Sequence, residues 1–138
     1  MKNTVRLAKK TESEILFEKI YETYGIKLCD EIIGYLKENS RGVPQKKDLQ
    51  GTQGLFVASF ISVSEKDETN IFSLARLLNE ESQGTIYIPV ALDGFGGVFC
   101  LKFINKELQT VEYLNREYDR EVFVCQDFKE FLEMLDLL

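Results

Sequence analysis

The sequence predicts an α+β fold in which an antiparallel β-sheet, with a central meander around residues 86–114, is packed by N-terminal and C-terminal helices. Residues 86–103 read as an apolar strand, the turn Asp93-Gly94-Phe95-Gly96-Gly97, and a second apolar strand. Asp93 can bond its own backbone two residues on, and Gly94 and Gly96 can take the positive φ that a tight reversal between twisted strands requires. Toward both ends of the chain, apolar side chains instead recur at helical spacing. The 138 residues, 44% hydrophobic and 29% charged, suit one domain over residues 1–138. A chain of this length removes roughly two thirds of its unfolded surface from water. Residues 1–10 are a candidate disordered lead-in, basic but without the continuous apolar run of a secretory signal.

The first helix is expected at Thr11-Glu12-Ser13-Glu14, where a Thr N-cap and Glu at the third helical position satisfy two orphan amides reciprocally. Leu16, Phe17, Ile20, Tyr21 and Tyr24 form its apolar stripe, and Gly25 ends it. Asp30 is the expected cap of a second helix with Ile32, Ile33 and Leu36 inward; Asn39 to Gly42 closes it, and Pro44 prevents its return. Residues 44–54 are polar and unperiodic, which predicts a surface loop. Residues 55–63 are apolar at both parities, as in a strand covered on both faces, either internal or overlaid by a helix. Asn70 caps a third helix carrying Ile71, Leu74, Ala75 and Leu78, which residues 79–84 close.

After the central hairpin, Asn105-Lys106-Glu107 links to a strand over 108–114, with Val111 and Tyr113 opposite Thr110 and Glu112. Pro89 lacks an amide donor and is expected at an edge or at the beginning of a strand. Residues 115–121 form a charged excursion around Tyr118. Val122 to Cys125 is a short strand. Asp127 and Glu130 form a capping box for a last helix whose Phe128, Phe131, Leu132 and Leu135 must dock in the core.

No histidine is present, which removes the usual general base near neutral pH and the commonest metal ligand. Cys29, Cys100 and Cys125 are odd in number and show no metal-ligand spacing, so they are expected reduced. The glycine turn lacks the lysine of a P-loop and leads into a strand instead of a helix. No catalytic residue, cofactor or metal site is assigned. Seventeen basic against 23 acidic residues give a net charge of −6, which disfavours direct nucleic-acid binding and favours solubility or a basic partner. Nothing reads as a membrane span, and a cytoplasmic location is expected.

The Tyr24-Gly25-Ile26-Lys27-Leu28 element, the Ile88 to Leu101 proline-to-glycine turn, Val111-Glu112-Tyr113 and the ending Phe128 to Leu135 resemble the SUKH superfamily, in its Smi/Knr-type branch. Members usually carry a proline where Cys29 stands and Asn-Gly-Gly where Asn39 to Gly42 stands. The resemblance implies an α+β domain, no catalysis, and most often an immunity protein that neutralises the toxin of an interbacterial polymorphic or contact-dependent system. The partner is then a protein toxin domain, in many cases a nuclease with a basic cleft. A regulatory interaction module of the cell-wall-regulator type, without a toxin, is the alternative. Asp93, Gly94 and Gly96 are expected to serve the turn. The partner-binding candidates are Glu117, Tyr118, Asp119 and Glu121, an aromatic anchor among acids.

Overall fold

The computed structural model describes residues 12–81 and 84–138, with only the backbone of Glu12 described. The expected Thr11 cap, the lead-in 1–10 and positions 82–83 of the turn 79–84 lie outside the described residues. The elements in chain order are α1 (Glu12–Tyr24), α2 (Asp30–Glu38), β1 (Ser59–Phe60), α3 (Ile71–Leu78), β2 (Thr85–Leu92), β3 (Val98–Ile104), β4 (Glu107–Asn115), β5 (Arg120–Cys125) and α4 (Phe128–Met134). The strands form one antiparallel sheet in the order β1-β2-β3-β4-β5. The fold is therefore α+β, with a sheet backed by helices.

Register decides which side chains are covered. Ile88 pairs with Leu101, Phe99 with Tyr113, and Leu101 with Val111. These join Leu16 and Ile20 of α1, Ile32 and Leu36 of α2, and Phe128, Phe131 and Leu132 of α4 in the main core. Leu135, just past α4, is buried as well. Aromatic rings carry contact from layer to layer: Phe99 lies 5.5 Å from Phe131, Phe131 6.0 Å from Phe128, Phe128 5.6 Å from Tyr35 and Tyr35 5.3 Å from Phe60. Such tilted, stacked and edge-on pairs add stabilisation beyond the area they bury. The opposite sheet face holds a smaller cluster of Tyr87, Val98, Cys100 and Leu114, packed by Leu74 and Leu78 of α3.

The segment 55–63 departs from expectation. Only Ser59 and Phe60 form a strand, and that strand is the first in the sheet, paired with β2 alone. Its flanks bond to β2 through Ala58 N–H to Leu92 O (2.8 Å) and Ile61 N–H to Val90 O (2.9 Å). The outer side is occupied by the chain leaving α2, where Phe60 N–H donates to Gly42 O (2.8 Å) and Ser40 Oγ accepts from Val63 N–H (2.9 Å). A covered edge thus shows the same two-sided apolar pattern as an internal strand.

Pro89 sits in the interior of β2 and not at its beginning, on a stretch of that strand that is a local edge of the sheet. Tyr87 turns its N–H and C=O away from β3, bonding them to the Asn79 side chain at 2.8 Å each, and alternation turns the Pro89 nitrogen the same way. Two-residue β1 does not reach that far, and a bulge between Pro89 and Ala91 resets the parity. A proline inside the sheet therefore interrupts no ladder bond.

Other differences are local. Cys29, not Asp30, is the N-cap of α2, and Asp30 becomes its first residue, where its charge favours the helix dipole. Asn70 caps α3 by accepting from Phe72 and Ser73, and Ser73 Oγ accepts from Asn70 N–H. Tyr21 is exposed although it lies on the apolar stripe of α1. Glu112, on the face opposite Val111 and Tyr113, is buried as well and accepts from Thr110 Oγ1 at 2.7 Å. The β3–β4 link is a two-residue hairpin, with φ of 51° at Asn105 and 68° at Lys106.

Candidate functional site

Because Leu92 pairs with Val98 and Val98 with Leu114, the β2–β3 turn at 93–97 and the β4–β5 turn at 116–119 stand at the same end of the sheet. Asp93 is buried beneath them. Its Oδ1 accepts from the amides of Phe95 (2.7 Å) and Gly97 (2.8 Å), and its own N–H donates to Gly97 O (3.1 Å). Its Oδ2 accepts from the Tyr113 hydroxyl at 2.6 Å. Hydrogen bonds to an ionised acceptor are roughly twice as strong as neutral ones, so this carboxylate is the fixed point of the turn. Burial, and then the bond to Asp93, hold the Tyr113 hydroxyl above the usual tyrosine pKa.

Gly94 and Gly96 have φ of 84° and 91°, the left-handed region that glycine enters without a Cβ clash. Gly97 has no positive φ; a Cβ there would run into the Tyr113 hydroxyl and the Asp93 carboxylate. Its contribution is close approach. From Tyr113 the hydrogen bonds continue to Asn115, whose Nδ2 donates to Tyr113 Oη at 3.4 Å. Asn115 is the last residue of β4, where the second turn begins.

The candidate partner-binding residues divide. Glu117, Tyr118 and Asp119 form the exposed tip of the β4–β5 turn, with Tyr118 72% exposed and Asp119 in the left-handed region at φ 50°. Glu121 belongs to β5 instead. Its Oε1 accepts from the Tyr87 hydroxyl at 3.0 Å, and its Oε2 lies 3.5 Å from Lys102 Nζ. Burial first, and then this bond to Glu121, push the Tyr87 hydroxyl up to about 12. The two arginines flanking the tip turn back onto the protein. Arg116 Nη2 donates to Leu78 O at 3.2 Å, and its guanidinium lies 5.8 Å from the Tyr87 ring. The Arg120 guanidinium lies 5.5 Å from the Tyr113 ring.

Sequence reasoning missed Phe95 and Tyr113. Phe95 is 72% exposed at the crest of the β2–β3 turn, with its ring 5.8 Å from that of Phe56. The signal was present, since a turn otherwise made of Asp and Gly has no local need for a large apolar side chain. The turns adjoin closely enough that a Cβ on Gly96 would stand 3.7 Å from Glu117 Oε2.

Cys100 and Cys125 are buried, and burial raises both thiols, Cys125 to about 12, so neither is a thiolate near neutral pH. Among the described residues no group of three or more His, Cys, Asp or Glu is placed to hold a metal ion. No helix among them is long and apolar enough to cross a membrane.

The class defined by this geometry is a helix-backed antiparallel meander whose turns at one end present aromatic and acidic side chains. The sequence model of the SMI1 / KNR4 family (SUKH-1) matches residues 11–134, and the chain belongs to that family. No curated protein and no solved structure gave a significant match.

Proposed function

We propose that the protein is an immunity protein that binds a cognate bacterial toxin domain stoichiometrically in the cytoplasm and neutralises it by covering its substrate site, without catalysis of its own. Membership of the SMI1 / KNR4 family carries this reading. The net charge of −6 supports it, because opposite charge accelerates encounter with a basic cleft. The exposed Tyr118 supports it further, because Tyr is enriched among interface hot spots, and Glu117 and Asp119 beside it add charge complementary to a basic cleft. Glu121 contributes to the acidic field from β5.

The test is binding kinetics with the toxin domain encoded beside this gene, across a salt series. Attraction between exposed charges weakens as the Debye length falls from about 30 Å at 0.01 M to about 8 Å at 0.15 M. Association should therefore slow with salt far more than dissociation changes. Absence of binding at micromolar concentration overturns the reading in favour of a regulatory interaction module, and salt-independent association removes only the steering component.

A further inference from the structure

We infer that the β2–β3 and β4–β5 turns form one contact surface, with Phe95 and Tyr118 as its two aromatic anchors, and that it takes a protein surface presenting cationic side chains. The inference deepens the toxin-binding reading and rests on it.

Both rings are 72% exposed, on neighbouring turns of a protein whose other large aromatics are mostly packed. Neither turn buries its own anchor: beyond the edge contact of Phe95 with Phe56, most of both residues is left open to a partner. Charge at the tip is also sorted. Arg116 is held on Leu78 O and the Tyr87 ring, and Arg120 on the Tyr113 ring. Glu117 and Asp119 remain exposed beside Tyr118. Both arginines stay exposed, but their guanidinium groups are engaged within the protein, and the carboxylates with the aromatic faces are left for an incoming Arg or Lys. Guanidinium and ammonium groups are attracted to both, through charge and through the ring quadrupole.

The turns are also tied together. The amides of Phe95 and Gly97, the Asp93 carboxylate, the Tyr113 hydroxyl and the Asn115 amide form one hydrogen-bonded chain from the first turn to the root of the second. Tyr113 is therefore a positioning residue. It is buried beneath the surface and sets the spacing of the two anchors.

The experiment measures association and dissociation of the purified full chain with the toxin domain encoded beside it. Phe95→Ala and Tyr118→Ala should each raise the off-rate by about 10-fold or more, as truncated hot-spot anchors do. Glu117→Gln with Asp119→Asn should instead slow association at low salt. Tyr113→Phe should raise the off-rate in a protein whose thermal unfolding shows it folded at the assay temperature. Leu77→Ala, at an exposed position on α3, should change neither rate. If the native chain binds and Phe95→Ala leaves its kinetics unchanged, the two-turn surface is wrong while the toxin-binding reading stands. If the native chain does not bind, both fall together.

Discussion

Gly97→Ala tests the turn clamp most directly, because it adds one methyl group where the structure leaves no space. The added Cβ would run into the Tyr113 hydroxyl and the Asp93 carboxylate. Side-chain tips often yield to such a clash, but these two are buried and bonded to each other at 2.6 Å. Overpacking of this kind costs about 1–3 kcal/mol, and losing a hydrogen bond to a charged acceptor adds about 1.5–3 kcal/mol. A total of about 2.5–6 kcal/mol is a large share of the roughly 5–15 kcal/mol by which a native domain is stable. For a chain of this size, at about 3–5 °C per kcal/mol, the midpoint of thermal unfolding should fall by about 8–30 °C. Gly94→Ala isolates the other kind of cost: at φ 84° it meets only the Ala58 Cβ, at 3.4 Å, so its penalty is the left-handed backbone, about 1–2 kcal/mol. Urea denaturation followed by circular dichroism gives all three stabilities on one scale. A Gly97→Ala protein within about 0.5 kcal/mol of the native chain, the range of ordinary surface substitutions, would refute the clamp.

Gly34→Ala should act in the opposite direction. Nothing lies within 4 Å of the added Cβ and the site is interior to α2, so the same assay should show a gain of about 0.5–1 kcal/mol. A chain ending at Cys125 should not fold, because it lacks Phe128, Phe131, Leu132 and Leu135, each worth about 1.5–3 kcal/mol buried; cooperative unfolding near the full-length midpoint would contradict this. The Tyr87 hydroxyl is raised from 10 to about 12 on folding, so its contribution is fully present below pH 10 and is lost as pH rises through 12. Tyr87→Phe should therefore make the alkaline loss of stability shallower over that window, and equal slopes in the two proteins would show that burial and the Glu121 bond do not raise this hydroxyl on folding.

The elements legible in the sequence are those fixed by local rules. The Asp127 cap with its Phe128–Leu132 stripe, the Asn70 cap and the glycine turn at 93–97 each encode their geometry within a few residues. What depends on distant partners was not legible. Residues 55–63 carry the pattern of an internal strand because the chain near Gly42 covers their outer side, a contact no local window contains. Pro89 meets its edge expectation only locally, inside β2, because how far β1 extends along that strand is not written in any local window. At the candidate site, composition located the tip at Tyr118 but grouped Glu121 with it, since strand pairing of Arg120 with Asn115 narrows the loop. Phe95 was overlooked because an aromatic between glycines is ambiguous until the sheet brings another turn beside it.

The meander also sets an order in time. Every strand pairing from β2 to β5 joins neighbours in sequence across a short turn, so those hairpins close with little loop entropy and can form early. The ribosome, however, makes α1 and α2 first, long before the sheet they cover and before Phe131, which completes the layer over Phe99. Leu16, Ile20, Ile32 and Leu36 must wait in water until the last third of the chain emerges. Synthesis of this protein thus includes an interval in which its first helices are candidates for chaperone capture, and that interval closes only when α4 docks.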